Sequence, residues 1–203
     1  MVFSTAAGGG YKGYMTAATT RDHIAEAADE LFYRQGYENT SFADIAGAVR
    51  ISRGNFYYHF KTKDEILEAV IERRMATTRR MLAQWEAEGT GPADRIRCFI
   101  RILTANRAKI MLYGCPVGTL SSELAKLDHA SQAGAARVFA LFRDWLRGQF
   151  AQAGRAGDAD ALALHVLARS QGVATLANAF RDEEFIRREV DLMCAWLDEA
   201  VAG

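Results

Sequence analysis

The stretch from residue 41 to residue 63 reads SFADIAGAVRISRGNFYYHFKTK and decides the fold of the N-terminal part of the chain. Ser41, followed three residues later by Asp44, has the pattern of a capping box that opens a short helix. Ser52 is placed to cap a second short helix through Tyr58, after a turn near residues 49–51. Two short capped helices joined by a tight turn are typical of a helix-turn-helix.

The second of these helices lies in a basic, aromatic-rich segment. From Arg50 to Lys63 there are four basic residues and no acidic one. Small residues at its start allow close approach to the major groove, where Asn55 can read a base edge. Tyrosine hydroxyls and Lys63 can reach phosphates, while Phe56 and Phe60 anchor the helix to its core.

The first helix would cross the DNA backbone, with the Thr40 and Ser41 hydroxyls and its N-terminal amides offered to a phosphate. An ordinary amphipathic helix pair with a solvated basic face is the alternative that the charge pattern alone leaves open. The charges and helix caps therefore indicate a nucleic-acid-binding surface, but they do not exclude the ordinary helix pair.

Helical periodicity continues on both sides of this stretch. Upstream, apolar residues recur at three- and four-residue steps from Ile24 to Phe32, with Thr20 as the expected N-cap and Gly36 at the C-terminal end. Downstream, a Thr62–Glu65 capping box starts a long helix. Five further helices are predicted up to residue 200, one of them capped by Asp128. The chain is therefore predicted to be all-α, with an N-terminal three-helix helix-turn-helix domain joined by a long helix to a helical bundle.

Composition narrows the function classes. The 203 residues carry 25 Lys and Arg against 25 Asp and Glu, and no apolar run reaches the roughly 18–20 residues of a membrane span. Three scattered cysteines do not form a disulfide framework, and the histidines lack metal-binding spacing. Residues 1–19 are expected to be disordered and contain no secretory signal. These features predict a cytoplasmic protein without a metal or cofactor.

The helix-turn-helix stretch closely resembles that of the TetR/AcrR family of transcriptional regulators. The resemblance runs from about Thr20 to Val70 and includes the small residues at 52, 54 and 55, the paired aromatics at 57 and 58, and the Phe-Lys-x-Lys sequence that ends at Lys63. It implies a DNA-binding domain over residues 20–65 and an effector-binding and dimerisation domain over residues 66–203. It also implies that double-stranded operator DNA is contacted by nine residues: Thr40, Ser41, Ser52, Arg53, Asn55, Tyr57, Tyr58, His59 and Lys63.

The last two predicted helices have the composition of a dimer interface. Residues 158–180 are rich in small side chains, and residues 183–200 place apolar side chains on one side. The resemblance implies that the Asp158–Phe180 and Glu183–Ala200 helices pair with their copies in a homodimer, which would present two recognition helices about 34–36 Å apart. Packing within the core of one protomer is the alternative.

The resemblance further implies a small-molecule effector site within the helical domain. Aromatic, apolar and polar residues between positions 72 and 170 supply the candidates, for which core packing is the competing interpretation. They are Trp85, Phe99, Leu103, Asn106, Cys115, Thr119, Phe142, Trp145 and His165. His165 also has the pattern of a buried core histidine.

Cys115 is a candidate sensor of electrophiles or oxidants. It lies in YGCPVG, immediately before a predicted helix whose N-terminal dipole would favour a thiolate. Some members of the family sense electrophiles through a cysteine near this place, and the segment is similar. A small buried residue at a helix kink is the alternative interpretation.

Together these features predict a dimeric one-component regulator, a repressor that leaves a palindromic operator when an effector binds. An all-α enzyme or hydrophobic-ligand carrier is the main alternative, although no nucleophile motif or glycine-rich phosphate loop is present. A DNA-binding architectural protein is a second alternative, against which the large aromatic C-terminal half argues.

Overall fold

Ten α-helices account for most of residues 19–202, the part of the chain that the computed structural model describes. In chain order they are α1 (Thr20–Gln35), α2 (Phe42–Val49), α3 (Arg53–His59), α4 (Lys63–Glu88), α5 (Pro92–Ala105), α6 (Arg107–Tyr113), α7 (Pro116–Lys126), α8 (Gln132–Gln152), α9 (Ala159–Phe180) and α10 (Glu183–Ala202). No strand occurs within the described residues, and the all-α prediction is confirmed. The disorder expected for residues 1–19 falls outside the described part, apart from Thr19.

The chain divides into two compact units, with the division between Arg73 and Arg74 inside α4. The first unit contains α1 to α3 and the start of α4, around a core that includes Ile24, Ile45, Phe56, Phe60 and Ile66. The sequence-based boundary after residue 65 therefore lies near the beginning of α4, whereas the structural division lies further along that helix.

The second unit is a helical bundle. Helix α8 packs along α9, and α5 packs along α10. Fully buried apolar side chains from these helices form its core, among them Ile96, Ile100, Leu146, Val166 and Leu197. Such residues recur every three or four positions, which is why the periodicity in the sequence locates the helices.

Three helix ends differ from the sequence-based prediction. The N-cap of α1 is Thr19, not Thr20, because only Thr19 stands three residues before Asp22 and completes a capping box with it. Helix α8 begins after Ser131 rather than Asp128, which adopts a left-handed conformation (φ 49°) in the preceding turn. A break at Asn106 separates α5 from α6, where one continuous helix was expected.

Candidate nucleic-acid interface

Helix α2 begins with a complete capping box. The Ser41 Oγ accepts a hydrogen bond from the Asp44 amide at 3.2 Å, and the Asp44 carboxylate accepts the Ser41 amide and hydroxyl at 2.8 and 2.7 Å. The Ser41 hydrogen bonds hold the pKa of the Asp44 carboxyl below its ordinary value. The first turn of α2 is therefore fixed at the surface by an ionised carboxylate at neutral pH.

The turn of the helix-turn-helix is built on a left-handed residue. Arg50 has φ 58° and ψ 41°, and its amide bonds to the Gly47 carbonyl at 3.3 Å. The Ile51 amide bonds back to the Ala46 carbonyl at 3.4 Å. This pair of bonds is the Schellman arrangement, which ends α2 sharply and redirects the chain into α3.

Helix α3 separates anchoring residues from exposed ones. The Asn55 amide donates to the Ser52 Oγ at 3.3 Å, which caps the helix, and Phe56 is buried against the Phe42 ring with centroids 5.3 Å apart. Arg53, Asn55 and Tyr58 are exposed at the surface of the same helix, and Tyr58 is 78% exposed. A short helix with a buried aromatic anchor thus presents a cation, an amide and a phenol outward.

The carboxyl end of α3 is held by two cations. Arg21, in the first turn of α1, donates from Nη1 to the His59 carbonyl at 2.6 Å, and its guanidinium lies 4.0 Å from the Phe60 ring centroid. The Lys61 ammonium donates to the Tyr57 carbonyl. Both cations lie at the carboxyl end of α3, where the negative end of the helix dipole attracts them.

Sequence reasoning missed Arg21. The signal available was its position, because a cation in the first turn of a helix is disfavoured by that helix's own dipole. An arginine there indicates a partner elsewhere in the fold, which the structure identifies as the end of α3.

The nine residues predicted to contact DNA are not equally accessible. Ser41, Ser52, Arg53, Asn55 and Tyr58 are exposed, whereas the other four are partly or fully buried: Thr40, Tyr57, His59 and Lys63.

Thr40 is a correction to the predicted contact set. Its side chain is only 1% exposed, and its hydroxyl donates to the Gly36 carbonyl at 2.6 Å. The hydroxyl proton is therefore committed to closing the connector between α1 and α2, and Thr40 does not offer it to a phosphate.

Tyr57 and Lys63 also make internal contacts. The Tyr57 ring lies edge-on to Phe42, with centroids 5.5 Å apart. The Lys63 ammonium donates to the Glu38 carbonyl at 3.0 Å and lies 4.3 Å from the Tyr37 ring centroid. A phosphate bound by Lys63 would have to share this ammonium with the connector.

In the second unit, the aromatic effector candidates contact one another in pairs. Trp85 and Trp145 have centroids 5.7 Å apart, and Phe99 and Phe142 have centroids 5.3 Å apart. Leu103 is buried one turn beyond Phe99 on α5. One aromatic pair therefore joins α4 to α8, and the other joins α5 to α8.

Most of the polar effector candidates form hydrogen bonds with backbone groups at the ends of helices. The Asn106 Nδ2 donates to the Ile102 carbonyl at 3.0 Å, and the Thr119 hydroxyl donates to the Cys115 carbonyl at 2.9 Å. Cys115 is the N-cap of α7, where its Sγ accepts the Gly118 amide at 3.5 Å.

His165 is a further correction, because the expectation of a core histidine is wrong. Its ring is exposed and stacks on Trp196 of α10, with centroids 4.4 Å apart.

One open groove in the second unit, of about 660 Å³, lies where α8 turns into α9. Its lining comprises Asp144, Arg147, Gly148, Ala151 and residues 156–161, and includes none of the predicted effector residues. Within residues 19–202, no cluster of three potential metal ligands occurs, and no helix is long and apolar enough to span a membrane.

The fold and the exposed face of α3 define a class, namely a helix-turn-helix DNA-binding protein with a larger helical second unit. Residues 24–70 match the family model described as bacterial regulatory proteins of the tetR family. Residues 92–190 match the C-terminal domain of LmrA/YxaF-like transcriptional regulators. The chain belongs to the TetR family of transcriptional regulators.

Individual relatives agree with this assignment. An uncharacterised HTH-type transcriptional regulator in the lacX 3′ region of Lactococcus lactis subsp. lactis is 32% identical over 54% of this chain and 57% of its own length. The HTH-type transcriptional repressor DhaR of Mycobacterium sp. (strain GP1) is 24% identical over 66% of this chain and 65% of its own. The chain thus spans about three fifths of these relatives.

The solved structures show that the likeness in fold extends over nearly the whole chain. A TetR transcriptional regulator from Legionella pneumophila superimposes with a TM-score of 0.78 at 24% identity. The superposition covers 91% of this chain and 98% of that one.

Proposed function

We propose that the protein is a homodimeric, one-component repressor that binds a palindromic operator and is released from it by a small-molecule effector. The observation that carries the proposal is the outward face of α3, where Arg53, Asn55 and Tyr58 stand exposed on a helix anchored by Phe56. Side chains of these types can donate to phosphates and to base edges in the major groove. The relative DhaR is named as a transcriptional repressor, which supports repression rather than activation in the proposal.

An exposed apolar stripe on α9 supports dimerisation. It consists of residues at four-residue steps that all lie at the surface of one protomer: Leu164, Ala168, Gly172, Leu176 and Phe180. Phe180 is 66% exposed, and Leu192 on the neighbouring α10 is 49% exposed. A continuous apolar face of this kind marks an interaction surface, and a two-fold axis would bury it against its own copy.

The effector part of the proposal is supported by the second unit. Its two aromatic pairs, which join α4 and α5 to α8, are side chains of the kind that line ligand sites. Helix α4 contributes residues to both units and is the element through which effector binding would act on the operator. A coupling free energy of about 2–3 kcal/mol would weaken operator binding roughly 30- to 150-fold. The cytoplasm is the compartment that this function requires.

Selection of duplexes from a random-sequence library by the full-length protein tests the proposal. We expect an enriched palindrome whose half-site centres lie about 10–10.5 base pairs apart, or a multiple of that spacing. Recovery of no enriched sequence from a folded protein would favour the ligand carrier or enzyme, and enrichment of a non-palindromic site would contradict the dimer.

Variants of the exposed face then locate the site. Asn55→Ala should weaken binding to the selected operator about 10- to 100-fold, and non-specific duplex binding much less, because a base contact is lost. Arg53→Ala should weaken operator binding, whereas Arg34→Ala, which removes an exposed arginine of α1, should not. Equal effects of the two arginine variants would place the DNA elsewhere.

A further inference from the structure

A groove runs between α2 and α3 on the surface of the first unit. It encloses about 410 Å³. Its lining consists of Phe42, Ala43, Ala46, Gly47, Arg50, Ile51, Arg53, Phe56 and Tyr57. The α2 residues in this set follow one another along a single face of the helix, so the groove extends from the first turn of α2 to the Arg50 turn.

The charged side chains that line this groove are all positive. Two arginines line it and no carboxylate does. The Arg53 guanidinium lies 5.6 Å from the Tyr57 ring centroid. The Arg50 side chain is exposed and makes no hydrogen bond or ion pair within the described residues. An apolar floor beneath unpaired guanidinium groups strengthens their attraction for an anion.

Arg50 is also in an unfavourable backbone conformation. Its φ of 58° places it in the left-handed region, where a residue with a Cβ is strained and glycine is not. The exposed side chain does not offset this strain by packing into the core. What singles out Arg50 is that its exposed guanidinium also lines the basic groove, where it is available to an anion outside the folded chain.

We propose that Arg50 binds an operator backbone phosphate seated at the mouth of the α2–α3 groove, with Arg53 at the same groove. The inference rests on the proposed DNA-binding function and adds to it a residue outside the nine predicted contacts. In helix-turn-helix proteins the first helix crosses the DNA backbone while the second enters the major groove. A basic groove between these two helices consequently faces the phosphates rather than the base edges.

The chain contains a matched control for testing Arg50. Arg181 is likewise exposed, likewise left-handed (φ 57°) at a helix end, and likewise without a side-chain partner among the described residues. Arg50→Gly and Arg181→Gly remove the same charge and relieve the same backbone strain, so their melting temperatures should shift in the same direction.

Only Arg50→Gly should change DNA binding. Fluorescence anisotropy with the selected operator should show roughly fivefold weaker binding per half-site at about 0.15 M salt, because one phosphate contact contributes about 0.9 to the logarithmic salt slope. The slope itself should fall by about one per half-site. A scrambled duplex should lose the same factor, since a phosphate contact does not read sequence. Arg50→Lys should recover most of the affinity.

Several outcomes would overturn the inference. Unchanged affinity or an unchanged salt slope for Arg50→Gly would remove Arg50 from the interface, and equal losses in both glycine variants would assign the effect to the fold. A loss confined to the operator would make Arg50 a base-reading residue instead. If the wild-type chain retains neither duplex, the proposed DNA-binding function fails and not this inference alone.

Discussion

At the scale of single residues, the three cysteines differ in what surrounds their sulfur atoms. Burial raises the pKa of the Cys98 and Cys194 thiols above the ordinary value. Cys115 instead caps α7, and its Sγ faces the Gly118 amide. Since the thiolate is the reactive form, the Cys98 and Cys194 thiols, whose pKa is raised, should be the slower to react at neutral pH.

Brief treatment with iodoacetamide at pH 7.5 should therefore modify Cys115 before Cys98 and Cys194. Peptide mass spectrometry over a time course measures the three rates. Equal rates at pH 7.5 would contradict this prediction. Sensing by Cys115 is a separate hypothesis, which a Cys115→Ser protein with an unaltered effector and electrophile response would eliminate.

Two residues were given the wrong environment by the sequence-based prediction. Their contact partners cannot be identified from the residues next to them in sequence. Thr40 has the composition of a phosphate contact, but its hydroxyl is used by the Gly36 carbonyl because the connector closes on itself. His165 has apolar neighbours in sequence, yet its ring partner is Trp196, thirty-one positions later on α10. Neither partner follows from the local pattern.

At the scale of elements, α3 has only seven residues and depends on the contacts at its ends. Isolated helices of this length are not stable in water. Ser52 caps its start, and Arg21 and Lys61 donate to carbonyls at its end. The orientation of the reading face is therefore set partly by Arg21 of α1, which we interpret as a positioning residue.

Replacing Arg21 should impair DNA binding without removing a phosphate contact. Arg21→Met should lower the free energy of unfolding by about 1 kcal/mol, since a hydrogen bond from a charged group is lost. Operator affinity should fall several-fold with an unchanged salt slope. Arg34→Ala on the same helix provides the control, and a salt slope reduced by about one per half-site would instead make Arg21 a phosphate contact.

The Asp44 capping box gives α2 a pH-dependent stability. Hydrogen bonds from Ser41 depress the folded-state pKa of Asp44, so the unfolded chain binds this proton more tightly. The contribution is therefore present above about pH 4 and is lost as pH falls through the depressed pKa. Asp44→Asn should lower the melting temperature at pH 7, and by less at pH 2.5, because more of the wild-type Asp44 is then protonated.

Circular dichroism melts at both pH values measure this difference. Asp191→Asn, an exposed substitution on α10, is the control for a general charge effect. A deficit of Asp44→Asn that is as large at pH 2.5 as at pH 7 would mean that the carboxylate charge is not the cause.

Helix ends were predictable where the cap and its partner are close in sequence. The Ser41–Asp44 and Ser52 caps and the Gly36 terminus follow from residue type and spacing. The Thr62–Glu65 pair shows the limit, because the Glu65 amide donates to Thr62 as expected while its carboxylate accepts the Lys61 amide instead. Which of two adjacent donors a carboxylate selects depends on a turn geometry that residue types do not specify.

At the scale of the whole molecule, charge is segregated along the chain. The formal net charge is zero, although residues 50–63 contain four basic residues and no acidic one. Residues 158–203 contain nine acidic residues and four arginines, a balance of −5. The acidic balance of residues 158–203 disfavours indiscriminate coating of DNA by that part of the chain, so the basic segment of each protomer should act at selected sites.

Dimerisation is testable through the α9 stripe. Leu176→Glu places a charge in the middle of the exposed apolar face, where Leu176 is 43% exposed, and should weaken self-association more than tenfold because the carboxylate would be desolvated. Sedimentation velocity should show the mass of a monomer, and operator affinity should fall with it. Leu127→Glu, at an exposed leucine beyond α7, should leave both unchanged.

The result that would contradict this interface is a Leu176→Glu protein that remains dimeric. In that case α9 would present its stripe to another partner, and the operator-binding dimer would have to form elsewhere.

In α3 the residue that anchors the helix is separate from the residues that are exposed. This separation affects how such a protein can change the operator that it recognises. Phe56 anchors the helix in the core, whereas Arg53, Asn55 and Tyr58 are exposed and contribute little to the core. Substitutions at those three positions should thus be nearly neutral for stability. New operator preferences can then be acquired, by natural drift or by a designed library, without first repairing the fold.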